Sequence, residues 1–142
     1  MKKTIFALMS LMALTLLFSS VALHAASNTQ AKPFLIQEGL PHLSMLVKML
    51  WDDEDLALSV EQKEKLLAIR KKTMSGAKAL GEKINPLEKK ILQASFDGET
   101  ADSLNGDVAR LASLRAQATM MHLKCIYETR KILTKEQIEI LE

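Results

Sequence analysis

Residues Ser59–Ser95 read SVEQKEKLLAIRKKTMSGAKALGEKINPLEKKILQAS. Within this stretch Leu66, Thr73, Ala77, Leu80, Ile84, Leu87 and Ile91 recur at intervals of three, four or seven, the spacing that lines residues along one face of an α-helix. The stripe keeps its phase across Asn85-Pro86, which predicts one long helix rather than two. Pro86 has no N–H for the carbonyl of Glu82 and crowds it, so a bend is expected near that turn. Ser59 opens the helix. Its hydroxyl is placed to accept from a first-turn backbone N–H, while Gln62, three residues on, can reach back to the Ser59 N–H in a capping box.

Downstream, Asp97-Gly98 breaks the helix and Thr100 is positioned to cap a second long one, running to about Ile132. Leu104, Val108, Leu111, Leu114, Ala118, Met121, Cys125 and Ile132 form its apolar stripe, widened near the end by Met120, Leu123, Ile126 and Tyr127. Two helices of matched length joined by a short break form an antiparallel hairpin. A short helix is expected before it, over about Pro41 to Trp51, with Leu43, Leu46, Val47 and Leu50 at helical spacing. Another starts at Thr134, where Gln137 completes a second capping box and Leu133 can staple onto Ile138. No strand-like alternation occurs, so the fold class is all-α: a bent antiparallel hairpin with short helices at each end.

Composition agrees. The chain has 142 residues, 48% hydrophobic and 25% charged, room for one domain. One Cys excludes an intrachain disulfide framework and a Cys-only metal cage. Lys2 and Lys3, the apolar run Ile5 to Phe18 and the small residues ending at Ala25-Ala26 read as a secretory signal peptide over residues 1–26. A disordered tether is expected over 27–39 and the helical domain over 40–142. Such a chain is exported and then has no stable membrane insertion. Cleavage leaves 17 basic and 17 acidic residues, a balance that, with export, argues against nucleic-acid binding. The charge is uneven: Asp52, Asp53, Glu54 and Asp55 are acidic, Val60–Ser95 is +5, and Asp97, Glu99, Asp102 and Asp107 are acidic again.

The pentads Leu58-Ser59-Val60-Glu61-Gln62 and Leu133-Thr134-Lys135-Glu136-Gln137 are two copies of an LTxxQ-type motif, each opening a helix. With the export signal and the basic, Pro-containing helix, the sequence resembles the Spy/CpxP family of periplasmic stress proteins over about Leu40 to Glu142. Two departures stand out: Ser59 occupies the Thr position of the first copy, and the sequence given has no extension after Glu142 of the kind many relatives carry. The resemblance implies a periplasmic antiparallel homodimer that binds unfolded or misfolded envelope proteins without ATP, or modulates a stress sensor such as a sensor kinase. For such clients the candidate contacts are Leu67, Arg70, Lys71, Met74 and Lys78 on the first long helix, joined by Met120, Leu123 and Tyr127 on the second. Lys stems and Met adapt to many partners without demanding one shape. Leu58, Ser59, Gln62, Leu133, Thr134 and Gln137 are expected to cap helices rather than touch ligand.

The resemblance also implies a rival reading, a periplasmic heavy-metal sensor or resistance protein, since relatives bind Zn, Ni or Co through His, Met and Glu. The candidate ligands are His122 and Cys125, three apart, with Met121 nearby and a weaker set in His42, Met45 and Met49. A small thiol on an apolar stripe is more ordinarily core. No phosphate loop, paired-carboxylate signature or base for Cys125 is visible, so neither catalysis nor a cofactor is expected.

Overall fold

The computed structural model describes residues 33–36 and 38–142. The expected signal peptide, and residues 27–32 and 37 of the expected tether, lie outside the described residues. The described chain is all-helical, in the order α1 (Leu43–Met49), α2 (Val60–Phe96), α3 (Ala101–Ile132) and α4 (Lys135–Leu141).

α2 is a single helix that continues through Pro86. It begins as the sequence requires: the Gln62 N–H donates to Ser59 Oγ at 3.2 Å and the Ser59 N–H donates to Gln62 Oε1 at 3.0 Å. It ends in a Schellman motif at Gly98, whose φ of +83° suits glycine. There the Gly98 N–H bonds the Ser95 carbonyl and the Glu99 N–H bonds the Ala94 carbonyl at 3.0 Å. Thr100 caps α3 by accepting from the Ser103 N–H. Ion pairs and contacts set the antiparallel register of α2 on α3: Lys90 meets Asp107 at 2.6 Å, Glu88 meets Arg115, and Gly76 lies against Met121.

α1 is shorter than its periodicity suggested. It starts at Leu43, with the Met45 and Leu46 N–H groups on the His42 carbonyl, and stops before Trp51. Asp53 then organises the acidic block, its Oδ1 accepting from the N–H groups of Asp55 and Leu56 at 3.0 and 2.9 Å. That turn drives Leu56 inward to complete burial, at the cost of a left-handed Ala57, φ +41°.

Two apolar clusters hold the hairpin. Leu43, Val47, Leu56, Leu66, Leu133 and Leu141 bring α1, the loop, α2 and α4 together at one end, and Leu80, Ile84 and Ala118 join α2 to α3 at its middle. Leu133 is buried in the first cluster and Ile138 packs against it, as a staple at α4 requires. Phe34 packs on the middle cluster, and the Leu35 N–H donates to Thr119 Oγ1 at 2.8 Å. Toward the far end the packing thins: among the described residues none from 88 to 117 is buried. Val108, expected on the α3 stripe, is 48% exposed there, because among the described residues only two helices meet at that end.

Candidate functional site

The two pentads, 75 residues apart in sequence, meet in space. Gln62 Nε2 donates to Gln137 Oε1 at 2.8 Å and Gln137 Nε2 donates back to Gln62 Oε1 at 3.3 Å. Each amide spends its remaining capacity on backbone. Gln62 Nε2 also donates to the Ile132 carbonyl at 3.0 Å and Gln137 Nε2 to the Leu56 carbonyl at 2.8 Å, while each Oε1 accepts from its own N-cap N–H. A primary amide has two donors and two acceptor lone pairs, so both glutamines are fully satisfied although Gln137 is buried. Neither pentad has hydrogen-bonding capacity left on its glutamine for a ligand. The clasp ties the starts of α2 and α4 to the end of α3, directly beside the leucine cluster.

The second helical position of each motif is a glutamate, and the carboxyls of Glu61 and Glu136 are both held below the ordinary value of 4.5. For Glu61 the cause is the hydrogen bond from Lys65, at 2.6 Å, and that residue's charge. For Glu136 it is first its own backbone N–H and then the Thr134 hydroxyl. Both residues are exposed.

Along α2 the candidate contact residues share one long edge, on the side of α1. Leu67 is 55% and Met74 58% exposed, and seven residues return to nearly the same line on a helix. Lys71 and Lys78 are exposed on the same edge; Lys78 lies 4.0 Å from Glu82. Arg70 is the most constrained, its Nη1 donating to the Ser44 carbonyl of α1 at 3.3 Å. Leu67 and Arg70 line a hollow of about 230 Å³ with Lys48 and Trp51.

The α3 residues do not extend that patch. Met120, 64% exposed, borders the α2–α3 groove on the face away from α1, with Met121, Lys72 and Thr73. Tyr127 is 62% exposed under the Lys131 ammonium, 5.3 Å from its ring centroid, and Leu123 is half-buried.

His122 and Cys125 are both buried, three residues apart on α3. The His122 ring stacks between Phe34 (5.0 Å) and His42 (4.8 Å), and Cys125 lines the α2–α3 groove. Met45 and Met49 project outward at 48% and 71% exposure. Among the described residues no three His, Cys, Asp or Glu side chains gather as a metal site.

Three features escaped the sequence reading: the reciprocal Gln62–Gln137 pair, the three-ring stack, and Arg115, which pairs with Glu88 while its Nη1 reaches the Phe34 carbonyl at 3.4 Å. Two identical capping boxes in one chain were the only signal for the first; each ring of the stack comes from a separate segment.

The family model described as LTXXQ motif family protein matches residues 49–142 and so takes in both pentads. The chain belongs to this family, which includes the Spy/CpxP periplasmic proteins and is not a known enzyme family. No curated protein and no solved structure matches it. Membership is consistent with a periplasmic stress-related protein. Among the described residues no helix is long and apolar enough to cross a membrane.

Proposed function

We propose that the protein is an ATP-independent periplasmic chaperone or envelope stress-response modulator that binds unfolding proteins on the exposed edge of α2. One observation carries the reading: Leu67 and Met74, each more than half exposed, alternate with the exposed side chains of Lys71 and Lys78 along one edge of α2. Isolated exposed apolar side chains are common. A line of them interleaved with lysine is suited to weak, shape-tolerant capture of chains that expose both apolar and acidic groups.

The active form in this reading is a homodimer. Leu92, Phe96 and Val108 are 58%, 78% and 48% exposed at the end of the hairpin that lacks a third layer, apolar surface that a second copy can cover. The acidic tip at Asp97, Glu99, Asp102 and Asp107 and the basic middle of α2 are complementary in an antiparallel pair. The rival metal-sensing role is less well supported: among the described residues no three His, Cys, Asp or Glu side chains gather, and the His122 ring is stacked against Phe34 and His42.

The test is an aggregation assay with an unrelated unfolding protein and the mature chain, without ATP, run with chelator and with added metal. Protection indifferent to metal supports the proposal; metal binding at micromolar affinity without protection overturns it. Light scattering should give twice the monomer mass, and a monomer at tens of micromolar would refute the dimer.

A further inference from the structure

We propose that the α2–α3 groove on the face away from α1 binds an acidic amphipathic helix of a partner protein. The groove is two adjoining hollows of about 370 and 360 Å³ that share Glu128. Ala68, Ile69 and Thr73 of α2 and Met121, Cys125 and Ile132 of α3 give it a mainly apolar floor. Lysines run along both sides: Lys65 and Lys72 on α2, Lys124 and Lys131 on α3. Each pair is seven residues apart, so each stands in a line along its helix. Glu128 is the one carboxylate among the residues lining the two hollows.

That pattern, an apolar channel between two lysine lines, is the charge complement of a helix bearing an apolar stripe flanked by Asp or Glu. The existing partners of two of the lysines are replaceable. Lys65 pairs with Glu61 and Lys124 with Glu128 as i,i+4 surface pairs, and such exposed pairs are weak enough for an incoming carboxylate to displace. The hollows open to solvent along their length, so a thin acyl chain lying there would stay wet on one side, short of the near-complete enclosure small ligands require. A helix buries one face and keeps the other in water. α1 shows such one-sided burial within this chain, packing on α3 and α4 with Leu43 and Val47 at 1% exposure. The groove follows α3 from Met120 to Ile132, about 18 Å at 1.5 Å per residue, which matches a partner helix of about three turns.

The site is separate from the client edge: Lys72 lies two residues from Arg70, about 200° around α2, and the inference does not rest on chaperone activity. Its test is fluorescence anisotropy with a labelled synthetic helix-forming peptide, leucines at helical spacing flanked by glutamates, against a matched peptide with lysine at every glutamate position. The acidic peptide should bind, and bind less as salt rises. Lys72→Glu with Lys124→Glu should weaken it about tenfold, and Ala68→Trp, at an exposed position of the floor, should also weaken it. Lys71→Glu with Lys78→Glu should leave it unchanged. Circular dichroism of each variant confirms folding. The proposal is overturned if the basic peptide binds as well, if the groove variants retain full affinity, or if dodecanoate or phosphatidylglycerol vesicles displace the acidic peptide.

Discussion

Replacing Gln137 with alanine should destabilise the protein far more than loss of one surface amide. Its Nε2 satisfies the carbonyl of fully buried Leu56, and its Oε1 accepts from the Thr134 N–H and from Gln62. An ordinary hydrogen bond contributes about 1 kcal/mol net, and a buried group left without its partner costs about 1–3 kcal/mol. Gln137→Ala removes its own bonds and strands the Leu56 carbonyl, for a total of about 3 kcal/mol. Gln62→Ala should cost about 2 kcal/mol, since its N-cap partner is exposed and water can replace that bond. The decisive quantity is the coupling. The two amides share a 2.8 Å and a 3.3 Å bond, so the double variant should cost about 1–2 kcal/mol less than the sum of the singles. Urea denaturation followed by circular dichroism, with all four proteins at one concentration so that any self-association contributes equally, measures the cycle. Coupling below about 0.3 kcal/mol would mean that the glutamines act independently, and the clasp would be refuted.

Other expectations concern the ends and the seam of the helices. Ser59→Ala and Thr134→Ala should each cost about 1 kcal/mol through a lost cap, read by the same denaturation, with client protection per folded molecule unchanged. Because the carboxyls of Glu61 and Glu136 are depressed in the folded protein, the stability they add is full above their unfolded value and is lost as pH falls through the folded one. Glu136→Gln should therefore flatten the acid limb of stability against pH, and an Glu136 carboxyl titrating at or above 4.5 by NMR would contradict this. At the seam, a Cβ on Gly76 would stand 2.5 and 2.6 Å from the Met121 Cε and Sδ atoms. Gly76→Ala should be tolerated, because the flexible Met121 end can move and alanine gains about 1 kcal/mol of helix propensity, whereas Gly76→Leu should cost about 1–3 kcal/mol by overpacking.

Local chemistry was legible in the sequence and long-range chemistry was not. Ser59-x-x-Gln62 and Thr134-x-x-Gln137 announced their helix starts because a capping box is written within four residues, and both boxes close as expected. Asp97-Gly98 likewise marked the end of α2. Leu56, directly after an acidic run, gave no periodic signal, and its burial follows from the Asp53 turn, which only the folded loop displays. The ring stack on His122 was not legible, because spacing along a helix gives angle but not neighbours; Phe34 and His42 come from segments 80 or more residues away in sequence. The candidate contact residues split for the same reason. Periodicity put Leu67 and Met74 on one line of α2, but could not show that Met120 borders the opposite groove.

The central claim, that the basic and apolar edge of α2 captures unfolding chains, is tested most directly by stopped-flow kinetics with an acidic unfolded client. Lys71→Glu with Lys78→Glu should slow association and reduce its salt dependence, because exposed charges act over about 8–10 Å at ordinary ionic strength. Met74→Ala should keep the association rate and speed release, because apolar burial governs residence. Wild-type rates for both variants, with the fold intact, would contradict the account and place the client surface off this edge.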